Sequence, residues 1–403
     1  MEKDKKKLAA QDKKIRKVLK RAQRSNAAKK KELLKELEGY TKGTIEYQRT
    51  LNRIKQIPTI GDGTVVTYGD KAKVILKEAN KKFGIREWKH FKPEHAKELL
   101  QDRIDRGLVA GTVRQTCHAL EYINKHVNEM NVFKKSQKIE ITDHQGMLEK
   151  VAENGIVRRA QDSTRLKATP DDCRRVLIEM ERYNPRYASI ARYEFLSGFR
   201  INDSVKQKVM YIDIKNNKHE SRKSKGGLNN IVYTSHHNDE DKRFLEEIKR
   251  CADQGTGRIF ERFKNNEDNY RSDKLVSKSV SELAKRCANR LGIKGPRGET
   301  FTSHSFRGGF GLERMEVYAA NHERLDEIIK EKIEEQPRLH TRYKAFEGRI
   351  RKKIIKENRD ARVIQKEEKI RWLVSTDLNH SRQEVVRFYI ENMNVIEALK
   401  RHR

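Results

Sequence analysis

Apolar residues along this chain recur at helical intervals in two blocks, and the first block begins near Tyr68. There Ala72, Ile75, Leu76, Ala79 and Phe83 fall on one face of a 3.6-residue repeat. A second helix is predicted from Pro93, a residue suited to a first helical turn, with Ala96, Leu99, Leu100 and Ile104 inward and Gly107 ending it. A third runs from Thr112 and turns Val113, Cys117, Leu120, Ile123 and Val127 inward. Together these predict a small all-α domain over about 65–150. The polar segment Ser163 to Lys167 reads as a linker, and Thr169-Pro170-Asp171-Asp172 is a helix start: a cap, a first-turn proline and acid at the positive end of the dipole. Val176, Leu177, Met180 and Tyr183 continue that helix. Tyr187, Ile190, Ala191 and Phe195 mark another, which stops at Gly198. Strand-like runs at Val209 to Ile214 and Ile231 to Thr234, with further helices after Ser281, make residues 165–403 an α+β domain with a small sheet near its start. Before the first block, residues 1–62 carry few apolar positions, and the turn-rich Thr59 to Thr64 marks their boundary.

Charge changes this picture. In 403 residues the chain holds 91 Lys and Arg against 59 Asp and Glu, a formal net charge of +32. Charged residues reach 37% and apolar ones 35%, against about 25% and 45–50% in ordinary soluble proteins, so several modest cores are expected rather than one large one. Self-repulsion of this size is a cost unless a polyanion offsets it, and nucleic acid is the first candidate. Residues 1–62 then read either as a solvated helix or a disordered basic arm, or as an arm touching DNA phosphates. No run approaches the roughly 20 apolar residues of a membrane span, and the basic N-terminus lacks the apolar stretch of a secretory signal. The expectation is a soluble, cytoplasmic, nucleoid-associated protein. Cys117, Cys173, Cys251 and Cys287 form no CxxC pair, so unpaired thiols are expected rather than zinc or a redox couple.

Four short segments could carry chemistry. Leu196-Ser197-Gly198-Phe199-Arg200 ends an apolar helix in glycine and delivers an arginine at the turn, with Asp203 close behind. Lys225-Gly226-Gly227 is a basic turn before the strand at Ile231. His304-Ser305-Phe306-Arg307 puts an imidazole and a guanidinium one helical turn apart. Asn379-His380-Ser381 is followed nine residues after the histidine by Tyr389. Each has a plainer reading: a solvated C-terminal arginine, a chance HxxR in a basic chain, Asp203 as a structural partner of Arg200, Tyr389 as a core aromatic.

In their order, Arg200, Lys225, His304 with Arg307, His380 and Tyr389 resemble the tyrosine recombinase family of phage integrases, whose catalytic domain is shared with type IB topoisomerases. Residues 65–150, above all Gly107 to Tyr122, resemble its core-binding domain, and 165–403 its catalytic domain. The fold implied is α+β and mostly helical, an all-α core-binding domain followed by a catalytic domain with a small antiparallel sheet. The activity implied is site-specific DNA recombination or integration through a covalent 3′-phosphotyrosyl intermediate, independent of metal, ATP or cofactor, serving a mobile element. Tyr389 would be the nucleophile, Arg200 and Arg307 the stabilisers of phosphorane charge, Lys225 the general acid, and His304 and His380 would hydrogen bond or move protons near the phosphate. The partner implied is double-stranded DNA, bound by a homotetramer on synapsed sites with accessory DNA-bending or directionality proteins, and no membrane.

The sequence departs from the family's pattern in three places. Gly308 stands where a histidine is usual and Asn379 where a glycine is usual. Between Arg307 and His380 lies a long charged insertion, about 316–371, first acidic and then basic, read as a protruding helical hairpin for DNA or a neighbouring subunit, or as a solvated charged helix. Rival functions are DNA relaxation of the type IB kind and a non-catalytic architectural DNA-binding protein. The tail after Tyr389, with Val395, Ile396 and Leu399 apolar, could dock on a neighbouring protomer and so favours recombination over relaxation.

Overall fold

The computed structural model describes residues 2–108, 110–130, 132–133, 139–142, 166–222, 224, 229–234, 238–266, 269–296, 298–380, 386 and 389–402. The chain divides into two compact units, Met1–Asp162 and Ser163–Arg403. Among the described residues no helix is long and apolar enough to cross a membrane.

The first unit is helical, and it includes the segment expected to be a free arm. Helix α1 (Glu2–Glu38) is followed by α2 (Ile45–Gln56), α3 (Asp62–Phe83), α4 (Pro93–Asp105) and α5 (Ala110–Val127). The Thr59 to Thr64 turn is thus the entry to α3, Gly84, with φ 70°, closes α3, and Gly107, with φ 68°, closes the turn after α4 as the pattern predicts. Ile15, Val18, Leu19 and Ala22 of α1 occur at i, i+3, i+4 and i+7 and are fully buried in one cluster with Ile75, Leu76, Leu120 and Ile123. The stripe is narrow because lysines occupy the rest of the surface, so sparse apolar content conceals a docked helix. At its tightest approach a Cβ on Gly69 would lie 2.7 Å from the Arg16 guanidinium, which is ion-paired to Asp70 at 2.7 Å and Asp12 at 2.9 Å.

Deleting residues 1–62 is therefore expected to do more than remove charge. Burial of Ile15, Val18 and Leu19 contributes about 1.5–3 kcal/mol each, in sum comparable to the whole stability of a small domain. The truncated chain should lose the cooperative melting of its first unit and become protease-sensitive before residue 130. A truncation that keeps its melting transition and only flattens the salt dependence of DNA binding would restore the free-arm reading.

In the second unit α6 (Pro170–Tyr183) begins with the expected capping box, Thr169 Oγ1 accepting from the Asp172 N–H and Asp172 from the Thr169 N–H. Helix α7 (Pro185–Ser197) and the short α8 (Ile201–Val205) follow, then an antiparallel sheet of β1 (Ile212–Asp213), β2 (Lys218–Ser221) and β3 (Asn230–Tyr233) in that order. Only the end of the Val209 to Ile214 run is strand. Val209 to Tyr211 form a 3₁₀ turn, and the Val209 N–H donates to the Gly257 carbonyl. Helices α9 (Asp239–Arg250), α10 (Asp273–Arg290), α11 (Ser303–Ala320), α12 (Leu325–Glu335), α13 (Leu339–Lys356), α14 (Ala361–Asp377) and α15 (Asn392–Arg401) complete the unit. The fold class is α+β and mostly helical, as expected.

The charged insertion does not protrude as a solvated hairpin. Leu325 and Ile329 of α12, Leu339 and Phe346 of α13, and Trp372 of α14 are buried in the same core as α6, α7 and α11. Many of its charges are exposed or ion-paired, Arg338 and Arg342 being exceptions. Asp377 is fully buried with Lys332 (2.5 Å), Arg314 (2.9 Å) and the Tyr318 hydroxyl (2.6 Å) around its carboxylate. The tail also packs on its own unit, with Val395, Ala398 and Leu399 buried and Arg401 ion-paired to Glu316.

Candidate active site

Segments far apart in sequence meet at the end of α7. Gly198 caps that helix with φ 63°, and a Cβ there would lie 2.3 Å from the Phe310 ring of α11, so both conformation and space require glycine. The turn places Arg200 as the N-cap residue of α8, half-buried. Its Nη1 donates to Ser224 Oγ at 3.1 Å and its Nη2 to the Asn379 carbonyl at 3.5 Å. Ser224 in turn donates to Asp203 Oδ2 at 2.6 Å, so the acid expected to partner Arg200 reaches it through a hydroxyl. Burial lowers the pKa of Arg200, and Arg307 pushes the same way against Asp203 and Tyr389.

Arg307 is the centre of the arrangement. It is 1% exposed on α11, and its guanidinium donates to two main-chain carbonyls, Gly198 at 2.6 Å and Leu378 at 2.7 Å. One side chain thus joins the Arg200 turn, the HxxR helix and the start of the last motif. Its Nε is buried with no hydrogen-bond partner among the described residues. His304, one turn earlier, is half-buried, and its charge acts on His380. Near Arg307 the fully buried Glu194 has its pKa raised well above the usual carboxylate range by desolvation, against the pull of Arg307.

Helix α14 stops in a left-handed turn. The His380 N–H bonds back to the Ser375 carbonyl and the Asn379 N–H to the Thr376 carbonyl, and Asn379 takes φ 52°. Such a turn favours glycine, and asparagine is the side chain that tolerates it next best, which explains the departure at this position. At the other departure there is room: a Cβ on Gly308 would lie 3.9 Å from the Ala168 backbone, an ordinary contact. His380 is 8% exposed, and burial, then Arg307, Arg200, His304 and Arg342, push its pKa down to about 2. The imidazole is neutral across the physiological range, with Nε2 buried and unpartnered among the described residues. The ring of Tyr389 lies over it, centroids 5.3 Å apart and tilted 35°. Tyr389 is half-buried against the core, and it is among the groups whose charge acts on Arg200.

The structure therefore brings together Arg200, His304, Arg307, His380 and Tyr389. Lys225, Lys223 and Ser381 lie outside the described residues. Ser224, which bonds Arg200, sits between the two lysines at the exit of β2, and Asn230 fastens β3 to the end of α14 through the Asp377 carbonyl at 2.9 Å. Residues that sequence reasoning misses are Ser224, Glu194 and two arginines of α13 and its entry. Arg342 donates to the His380 carbonyl, and Arg338 approaches Asn379 Oδ1 at 3.5 Å. Their one-turn spacing is visible in sequence, but not their direction. Chemically, the site offers a phenol, a neutral imidazole and several guanidiniums with few carboxylates, an environment suited to a bound phosphate.

No family model matches the chain, and no curated protein matches it. Among solved structures it is similar to the XerH site-specific recombinase bound to palindromic difH substrate in a post-cleavage complex. The identity is 14%, the alignment covers 94% of this chain and 92% of that one, and the TM-score is 0.49. It is also similar to a lambda integrase dimer bound to a COC′ core site, at 17% identity over 66% of this chain and 67% of that one, TM-score 0.44. A third is the Tn1549 transposon integrase in complex with circular intermediate DNA, at 11% identity over 88% and 97%, TM-score 0.42. All three are distant likenesses in fold.

Proposed function

We propose that this protein is a tyrosine recombinase, a site-specific DNA strand transferase that cuts and rejoins DNA through a 3′-phosphotyrosyl intermediate. The observation that supports it best is Arg307 binding the Gly198 and Leu378 carbonyls, which gathers Arg200, His380 and Tyr389 around one position. Tyr389 Oη attacks the scissile phosphorus, the bond to the 5′ oxygen breaks, and the ester energy is stored in the phosphotyrosyl link. Arg200 and Arg307 stabilise the charge that builds on the non-bridging oxygens. His380, neutral and beside the Tyr389 ring, takes up the phenol proton, His304 hydrogen bonds to the phosphate, and Lys225 protonates the leaving 5′ oxygen. The protein acts as a homotetramer on two synapsed duplexes, in the service of a mobile element and with accessory DNA-bending proteins. The test is a nicked suicide substrate carrying the element's own junction: a covalent protein–DNA adduct is expected, and DNA binding without any adduct would leave the architectural reading.

Lys225 is separable from Lys223 by a leaving-group experiment. Sulfur in place of the bridging 5′ oxygen makes a leaving group that needs little protonation, so it should restore cleavage to Lys225→Ala by about 10²-fold, the usual worth of a general acid. It should not rescue Arg200→Ala. Rescue of Lys223→Ala instead would move the acid to the other side of Ser224.

A further inference from the structure

Around His380 the structure gathers more positive charge than one phosphate requires. Besides Arg200 and Arg307, the insertion contributes Arg338 and Arg342, both half-buried. The partners of Arg338 are Gln336 Oε1 at 3.2 Å, Asn230 Oδ1 at 3.3 Å and Asn379 Oδ1, and that of Arg342 is the His380 carbonyl. All are neutral. Several other cations of the same segment that are partly or fully buried, or lie at its surface, have an acid beside them: Lys332 with Asp377, Lys353 with Glu368, Arg359 with Glu367, Lys366 with Glu323. The two guanidiniums beside the site are instead desolvated against neutral oxygens. That is unfavourable for both, Arg342 being pushed down to about 10 by burial, then by Arg338 and Arg349. An anion would reverse the cost, because charge-assisted bonds to phosphate are about twice as strong as neutral ones.

We infer that Arg338 and Arg342 form a second phosphate-binding position, which grips the DNA backbone next to the phosphate held by Arg200 and Arg307. This rests on the recombinase reading for which phosphate is meant. A strand carries a phosphate about every 3.4 Å along the helix axis, so cations just beyond the reactive phosphate meet its neighbour. The insertion then serves the site directly: its two arginines hold the backbone while the same side chains steady the turn that presents His380.

The probe is a short mixed-sequence duplex, with binding followed across a salt series and no cleavage required. Arg338→Gln and Arg342→Gln should each reduce the magnitude of the log K against log salt slope by about 0.9. Arg338→Lys and Arg342→Lys, which keep the charge, should hold the slope near that of wild type. Arg324→Gln, removing an exposed arginine already paired with Glu327, should leave it unchanged. Wild-type slopes in both glutamine variants would reduce the arginines to structural supports of the turn and overturn the inference. Should Arg342→Gln fail to fold, Arg338→Gln decides alone, since its contacts are long and its loss costs the fold little. Because the slope is measured without chemistry, absence of a phosphotyrosyl adduct in wild type would remove the recombinase reading while leaving the slope result intact. Adduct formation with unaltered slopes would do the reverse.

Discussion

Tyr389→Phe should abolish adduct formation on a suicide substrate while leaving DNA affinity within about twofold of wild type. The substitution removes only the hydroxyl. The ring that lies 5.3 Å from the His380 ring and rests on the core is retained, so packing of the last motif is preserved. Without that oxygen no phosphotyrosyl bond can form at this position, and the loss should exceed about 10³-fold, equivalent to some 4 kcal/mol of barrier. Arg200→Ala offers a graded comparison. It removes one donor to the developing oxyanion and should cost about 10²–10³-fold. Arg307→Ala is less informative, because it also releases the two carbonyls that hold the turns in place. Quantitation of the denaturant-resistant adduct, with affinity measured in parallel, checks all three. Undiminished adduct in Tyr389→Phe would assign the nucleophile to another residue.

The second large effect is on stability. Asp377→Asn should destabilise the second unit by about 3–5 kcal/mol, since it leaves Lys332 and Arg314 buried without their counter-charge. For a unit of this size the melting temperature should fall by about 10 °C. Lys332→Met should cost less, because Asp377 keeps Arg314 and the Tyr318 hydroxyl. Burial alone would raise the pKa of Asp377, but Lys332 and Arg314 outweigh it and hold the carboxyl below its usual value. The stabilisation is therefore complete above the unfolded-state value, near 4, and is lost as pH falls through the lower folded-state value. Calorimetric melting from pH 7 down to pH 3 should show wild type losing its advantage over Asp377→Asn only in the acid limb. A constant difference across that range would mean that the carboxylate's charge contributes nothing.

What can be read from sequence follows the strength of each local signal. The turn at Gly198, the start at Thr169 and the HxxR pair are legible because each is set by residues a few positions apart, and the structure places Arg200, His304, Arg307, His380 and Tyr389 together. Helix α1 is not, since four apolar residues among many lysines bury a stripe that composition averages away. The insertion misleads for the same reason: its charges outnumber the few side chains, such as Leu339 and Phe346, that fix it in the core. Arg338 and Arg342 are hidden by abundance. In a chain with 91 basic residues, only a fold distinguishes an arginine with an acid beside it from one without.

Arg307 grips main-chain oxygens rather than side chains, and this has an evolutionary consequence. A carbonyl is supplied by whatever residue occupies the position, so no substitution at Leu378 can delete that bond, provided an apolar side chain still fills the core there. Position 378 is then free to drift among aliphatic residues, whereas position 307 tolerates almost nothing, lysine included, because a single ammonium lacks the planar fork that spans two carbonyls at once. The site's architecture is in this way guarded at one codon and permissive at its neighbours.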